Sequence, residues 1–201
     1  ELHHSLVFLR PLGLRLAQEH PASRPPKGKS IERRPHHINI RSTFGHWELD
    51  SVIGKAAGRY ESLLTFVERR TRFQVIIRVP NKEAETTTKA IAHVLSKFPK
   101  GTVKTITVDN GSEFQDYEGL KALVEEVYYC HPYCSSERGS NERANRIIRR
   151  FFPKGKSMKH VTQKDCDQAA HWMNTMPRKI LNYATAEELF QQELSNLQTK
   201  A

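Results

Sequence analysis

No stretch of this 201-residue sequence approaches the ~20 consecutive apolar residues of a bilayer span. The apolar run at 6–9 is interrupted by Arg10 and Arg15, which also makes it a poor secretory signal. Cysteine is scarce. Cys130, Cys134 and Cys166 cannot all pair, so a secreted disulfide framework is excluded and a reducing, cytoplasmic setting is expected. Apolar residues reach only 37%, which predicts one core of ordinary size with polar extensions rather than two large domains. Acid is the minority charge: 32 Lys and Arg stand against 22 Asp and Glu, a net charge of +10. An excess of that size points to a polyanionic partner, most simply nucleic acid, over mere surface solubility. The chain opens on Glu1 rather than Met, as a fragment or processed product would.

Residues 1–43 read as a basic, Pro-rich arm, with Pro11, Pro21, Pro25, Pro26 and Pro35 favouring extended backbone. The core is expected over 44–190 and a tail over 191–201. Alternation and β-branched residues predict strands at 47–53, 62–67 and 73–79, joined by short turns as an antiparallel meander. The period then changes. Ala84, Thr87, Thr88, Ile91, Val94, Leu95 and Phe98 mark one face of a helix over 82–98. Val103 to Val108 reads as a buried parallel strand, followed by a helix at 117–126 and a short strand at 127–130. Helices are expected from about Asn141 to Pro153, from 163 to 174, and briefly over 186–194. The order βββαβαβαα describes an α/β, ribonuclease-H-like fold: a mixed five-stranded sheet flanked by helices. The right-handed crossover rule sets the fourth strand beside the first.

That topology gives two carboxylates a common address. Asp50 ends the first strand and Asp109 the fourth, so both fall at one edge of the sheet, where such sheets bind ligands. A divalent cation such as Mg²⁺ would remove their repulsion. Glu142 is a third candidate. Its helix turns Ala144, Ile147, Ile148 and Phe151 inward and leaves Glu142, Asn145, Arg146 and Arg149 on another side. That side suits a metal-bound phosphate site, but a solvated Glu142–Arg146 ion pair explains the same spacing. Glu142 is the one acid between 138 and 160, among Arg138, Arg143, Arg146, Arg149, Arg150, Lys154, Lys156 and Lys159. Glu48 points with Asp50 along its strand, either beside the site or in a structural ion pair. Glu113 reads as a helix N-terminal acid, with a role at the site's edge as the alternative, and Trp47 and Trp172 read as core residues. Cys130, His131 and Cys134 lack the further ligands that zinc needs, and His36 and His37 read as solvated.

Four blocks then resemble one family. His46-Trp47-Glu48-Leu49-Asp50-Ser51-Val52-Ile53-Gly54 is similar to its G-x-W-E-x-D-x-V-x-G, and Thr107 to Phe114 to its T-x-D-N-G-x-E-F. Glu137-Arg138-Gly139-Ser140-Asn141-Glu142, with Arg149-Arg150-Phe151-Phe152-Pro153-Lys154-Gly155, resembles E-R-G-x-N-E and R-x-[YF]-F-P-K-G. Pro177 to Tyr183 resembles P-R-K-x-L-x-Y. The family is the insertion-sequence-thirty group of bacterial DDE transposases, with an integrase-type catalytic core. The resemblance implies Asp50, Asp109 and Glu142 as catalytic and metal-binding triad, with two Mg²⁺ or Mn²⁺ ions clamping the attacking and leaving oxygens. It implies DNA contacts from Arg138, Asn145, Arg146, Arg149, Arg150, Lys154 and Lys156, and a supporting turn at Asn110 and Gly111. It implies cleavage at transposon ends, strand transfer into target DNA, a homo-oligomeric complex and a place among bacterial nucleoid DNA. Residues 143–146 depart from the family's N-E-N-x-N-G pattern. The helix-turn-helix that reads terminal repeats is missing, so DNA is expected to be held through phosphates with little sequence preference. A ribonuclease-H-like nuclease and an inactive DNA-binding remnant are the alternatives.

Overall fold

The computed structural model describes residues 28–54, 61–132 and 139–199, with the side chains of 139–142 left aside. In chain order these form β1 (Lys29–Ser30), α1 (His36–Asn39), β2 (His46–Ile53), β3 (Ser62–Glu68), β4 (Gln74–Val79) and α2 (Ala84–Leu95). They continue with β5 (Thr105–Val108), α3 (Tyr117–Leu123), β6 (Glu126–Tyr129), α4 (Gly139–Phe151), α5 (Gln163–Thr175) and α6 (Ala186–Thr199). The sheet order is β1-β6-β5-β2-β3-β4. Strands β2, β3 and β4 run antiparallel as a meander, while β5 joins β2 in parallel, as the crossover rule requires.

The sheet has six strands, not five. The extra one, β1, pairs with β6 through Lys29–Tyr128 and Ser30–Tyr129. It comes from residues that composition alone reads as an arm. Ile31 and Ile38 are buried there, and Arg34 reaches Thr107 Oγ1 at 3.2 Å. Two isolated apolar residues among prolines and arginines carry no periodic signal, so only tertiary contact reveals them. Residues 1–27 lie outside the described part of the chain. At the other end α6 runs on to Thr199, because Phe190 packs into the core and Leu194 and Leu197 against it.

Alternation in the strands sorts the core into two layers. Trp47, Leu49, Leu64, Phe66 and Ile106 face one side, against Ile91 and Val94 of α2, Leu120 of α3 and Phe190 of α6. Val52, Leu63, Val67 and Ile76 face the other, against Ala144 and Ile148 of α4 and Cys166, Ala169 and Met173 of α5. The α4 stripe ends on Phe152; Phe151 is exposed. α5 is started by a capping box between Thr162 and Asp165. Its Asn174 exchanges hydrogen bonds with the Gln74 backbone at 2.9 and 2.8 Å, which fixes it on the sheet edge.

Where β2 begins, His46 is buried, with Nδ1 2.9 Å from Thr105 Oγ1. Burial, then the nearby Lys104 and His37, pushes its imidazole down to about 4 from 6.5. The folded chain therefore keeps His46 neutral where the unfolded chain protonates it. Stability is lost as pH falls from 6.5 towards 4, by up to about 3 kcal/mol. Urea unfolding at pH 7 and pH 5 is expected to show this fall, and His46→Gln to flatten it.

Candidate active site

Pairing between β2 and β5 runs through His46–Thr105, Trp47–Ile106 and Glu48–Thr107. Carried two residues further, the register sets Asp50 level with Asp109, on neighbouring strands about 4.8 Å apart. Each carboxylate is fixed by its own backbone: Asp50 Oδ1 accepts the Ser51 N–H and Asp109 Oδ1 the Gly111 N–H, both at 2.9 Å. The turn after Asp109 is anchored because Asn110 Nδ2 donates to the Cys130 carbonyl at 2.7 Å. Gly111 leaves room for two acidic side chains. A Cβ there would lie 2.9 Å from Asp109 Oδ1 and 2.5 Å from Glu113 Oε2.

Those two distances bring a third carboxylate alongside Asp109. Glu113 is buried in a 3₁₀ turn (Ser112–Phe114). Its Oε1 lies 2.9 Å from Lys82 Nζ, and its Oε2 has no hydrogen-bond partner among the described residues. The sequence offers no periodic signal for this, only the two-residue spacing from Gly111.

Helix α4 meets the same sheet edge. Asn145 Nδ2 donates to Asp50 Oδ2 at 2.6 Å, and Arg149 Nη1 to the Ile53 carbonyl at 2.7 Å. Burial lowers the Arg149 guanidinium and the charge of Asp50 opposes that shift. The flank of α4 carrying Asn145 and Arg149 thus faces the end of β2. Position 142 lies on that helix one turn before Asn145, about 4.5 Å along the axis. The Glu142 side chain lies outside the described residues, and so does Arg138. Arg146 turns from this flank into a cavity against α5. Arg150 is exposed, as are Lys154 and Lys156 in the loop after α4. That loop packs on the end of β2, since a Cβ at Gly54 would meet the Lys156 carbonyl at 2.5 Å.

Glu48 is fully buried and its carboxylate pairs with Arg69. His131 Nε2 lies 3.3 Å from Glu32 Oε1, and Cys134 falls outside the described residues. No described group of three His, Cys, Asp or Glu is gathered tightly enough to hold a metal. The donors at the β2–β5 edge are nonetheless all carboxylate oxygens, one of them buried and unpartnered, and that is the chemistry of a hard cation. Among the described residues, no helix is long and apolar enough to cross a membrane.

The sequence profile of the integrase core domain matches residues 41–133. The chain is 41% identical over 171 residues to the probable transposase for insertion-like sequence element IS1161 of Streptococcus salivarius, covering 85% of this chain and 48% of that one. It is 38% identical over 168 residues to the transposase for insertion sequence element IS4351 of Bacteroides fragilis, covering 83% and 51%. It is 32% identical over 165 residues to transposase InsI for insertion sequence element IS30A of Escherichia coli K12, covering 82% and 42%. The chain thus spans about half the length of the curated relatives it matches. Its fold resembles the catalytic core domain of BIV integrase, with a TM-score of 0.57, 16% identity, and coverage of 77% of this chain and 98% of that one.

Proposed function

From the premise that the chain belongs to the insertion-sequence-thirty transposases and carries an integrase core domain, we propose that it cuts DNA at transposon ends and joins the freed 3′-hydroxyl to target DNA. The observation that carries this reading is the convergence of Asp50, Asp109 and the Asn145 flank of α4 at one sheet edge. Two like charges brought together on neighbouring strands repel unless a cation lies between them. That favours a site built to share positive charge.

Asp50, Asp109 and Glu142 would hold Mg²⁺ or Mn²⁺, two ions in the full site. Bound there, the metal would neutralise charge on the scissile phosphate and lower the pKa of the attacking hydroxyl. The chain's own residues do the positioning. The backbone N–H groups of Ser51 and Gly111 each hold one oxygen of an aspartate, and the Asn145 amide holds the second oxygen of Asp50. Asn145 orients Asp50 and ties it to the helix of Glu142. Arg149 and the loop of Lys156 border the β2 end, and together with the exposed Arg150 and Lys154 they suit the phosphates flanking the reacting bond. The working form is a homo-oligomer on the DNA of a bacterial cytoplasm.

The test supplies a labelled duplex with a free 3′-hydroxyl end, a target duplex, and Mg²⁺ or Mn²⁺. Metal-dependent nicking and joined product are expected. Nicking without joining would make the chain a nuclease, and binding without either would make it a DNA-binding remnant.

A further inference from the structure

On the other flank of α4 lies a cavity of about 400 Å³, well removed in chemistry from the carboxylates. Arg41, Arg72, Arg143, Arg146 and Arg178 line it, and none of the described lining residues is acidic. Its remaining wall is largely apolar, with Ile147, Met173 and Trp172. Trp172 is 39% exposed rather than core, and its indole stands edge-on to Phe151 at 5.4 Å. Gln74 also lines the cavity. It is 2% exposed, and its Oε1 is buried with no hydrogen-bond partner among the described residues. Five cations, an aromatic wall and one unsatisfied amide make an unusual combination. The exposed Arg143 and Arg146 suit an anion, and the indole a flat apolar body.

We propose that this cavity is a nucleotide pocket, taking one unpaired nucleotide of a DNA strand with its phosphate on Arg143 and Arg146 and its base against Trp172. The assignment rests on DNA being the partner of the carboxylate site. Guanidinium groups match phosphate oxygens in a bidentate fork, and bases stack on aromatic faces whatever their identity. The cations also burden one another. Arg72 is pushed down to about 10 by burial and then by Arg41, with Arg143 and Arg178 adding to the effect. Arg41 is lowered by burial and Arg143. A bound phosphate relieves that repulsion. The pocket and the carboxylates share one helix, about 10 Å across. A strand with its scissile phosphate at Asp50 and Asp109 can therefore place a nearby displaced nucleotide in the pocket.

Tryptophan emission tests this without any chemistry. Trp47 is buried, so quenching by added DNA reads Trp172. The intact chain is titrated in EDTA with a blunt duplex, the same duplex bearing a three-nucleotide single-stranded overhang, and an abasic version of that overhang. A free deoxynucleoside monophosphate forms the fourth arm. Quenching by the overhang alone is expected, with affinity about tenfold above the blunt duplex. Trp172→Phe should lose the signal, and Arg143→Ala should lose the overhang's advantage while still binding blunt DNA. Equal affinity for all three duplexes, or quenching that persists with the abasic overhang, would overturn the proposal. Quenching by the free monophosphate and not by the overhang would overturn it in favour of a free nucleotide. If no duplex binds even at low salt, the pocket assignment fails together with the function on which it rests.

Discussion

Asp109→Asn is expected to cut Mg²⁺-dependent strand cleavage on the order of a thousandfold or more, with the fold and DNA binding retained. The side chain is nearly isosteric, and its amide oxygen can still accept the Gly111 N–H at the 2.9 Å seen for Asp109 Oδ1. What disappears is one of two negative charges at the β2–β5 edge. The other, on Asp50, already accepts an N–H from Asn145 and another from Ser51. It is left to hold a cation with a weakened partner. The measurement is a nicking time course with wild-type and variant at rising Mg²⁺, beside a salt titration of DNA binding. The binding term comes from phosphate contacts and should keep its slope against log salt. Retained cleavage would remove Asp109 from the chemistry. Glu142→Gln is the companion variant. It should also lose cleavage while unfolding at the same urea concentration, since glutamine keeps the size and polarity of the glutamate and removes only its charge. A Glu142→Gln chain that fails to fold would make that residue structural.

Much of this arrangement was legible in the sequence because it depends on short-range rules. The change from alternation at 47–53 to a helical period at 84–95 locates the meander and the crossover, and the crossover rule then puts Asp50 beside Asp109. What escaped depends on tertiary contact. β1 consists of two residues and is held by β6 and by the burial of Ile31. Trp172 reads as a core residue by type yet stands part exposed at the cavity, edge-on to Phe151. Asn145 falls on the expected flank of α4, but spacing could not distinguish an amide bound to Asp50 from one aimed at DNA. Glu113 reads by sequence as a helix N-terminal acid or an acid at the site's edge, but its burial beside Asp109 and its pairing with Lys82 are set by tertiary contact.

Glu48→Ala should be the most destabilising change near the site, costing about 3–5 kcal/mol. The Glu48 carboxylate and the Arg69 guanidinium are both buried, and Arg69 Nη1 donates to Glu48 Oε1. Arg69 also donates from Nε to the Ile38 carbonyl and from Nη2 to the Asn39 carbonyl, each at 3.2 Å. One arginine therefore clamps α1 over β2, two residues before Asp50. Burial, with Arg34 and Arg41 nearby, already lowers its guanidinium, so it can ill spare its counter-charge. Removing Glu48 leaves that cation in a dry site with two carbonyls and no anion. Glu48→Gln keeps an acceptor without the charge and should lose less. Replacing both partners by apolar residues, as in Glu48→Leu/Arg69→Met, removes the stranded charge as well as the pair. Its cost should fall below the sum of the single changes, though above zero, because the carbonyls of Ile38 and Asn39 lose their donor. Urea unfolding of the four chains reads the cycle directly. Additive costs would mean that the two side chains do not depend on each other. A Glu48→Ala chain as stable as wild type, with cleavage lost, would move Glu48 from the framework into the catalytic machinery.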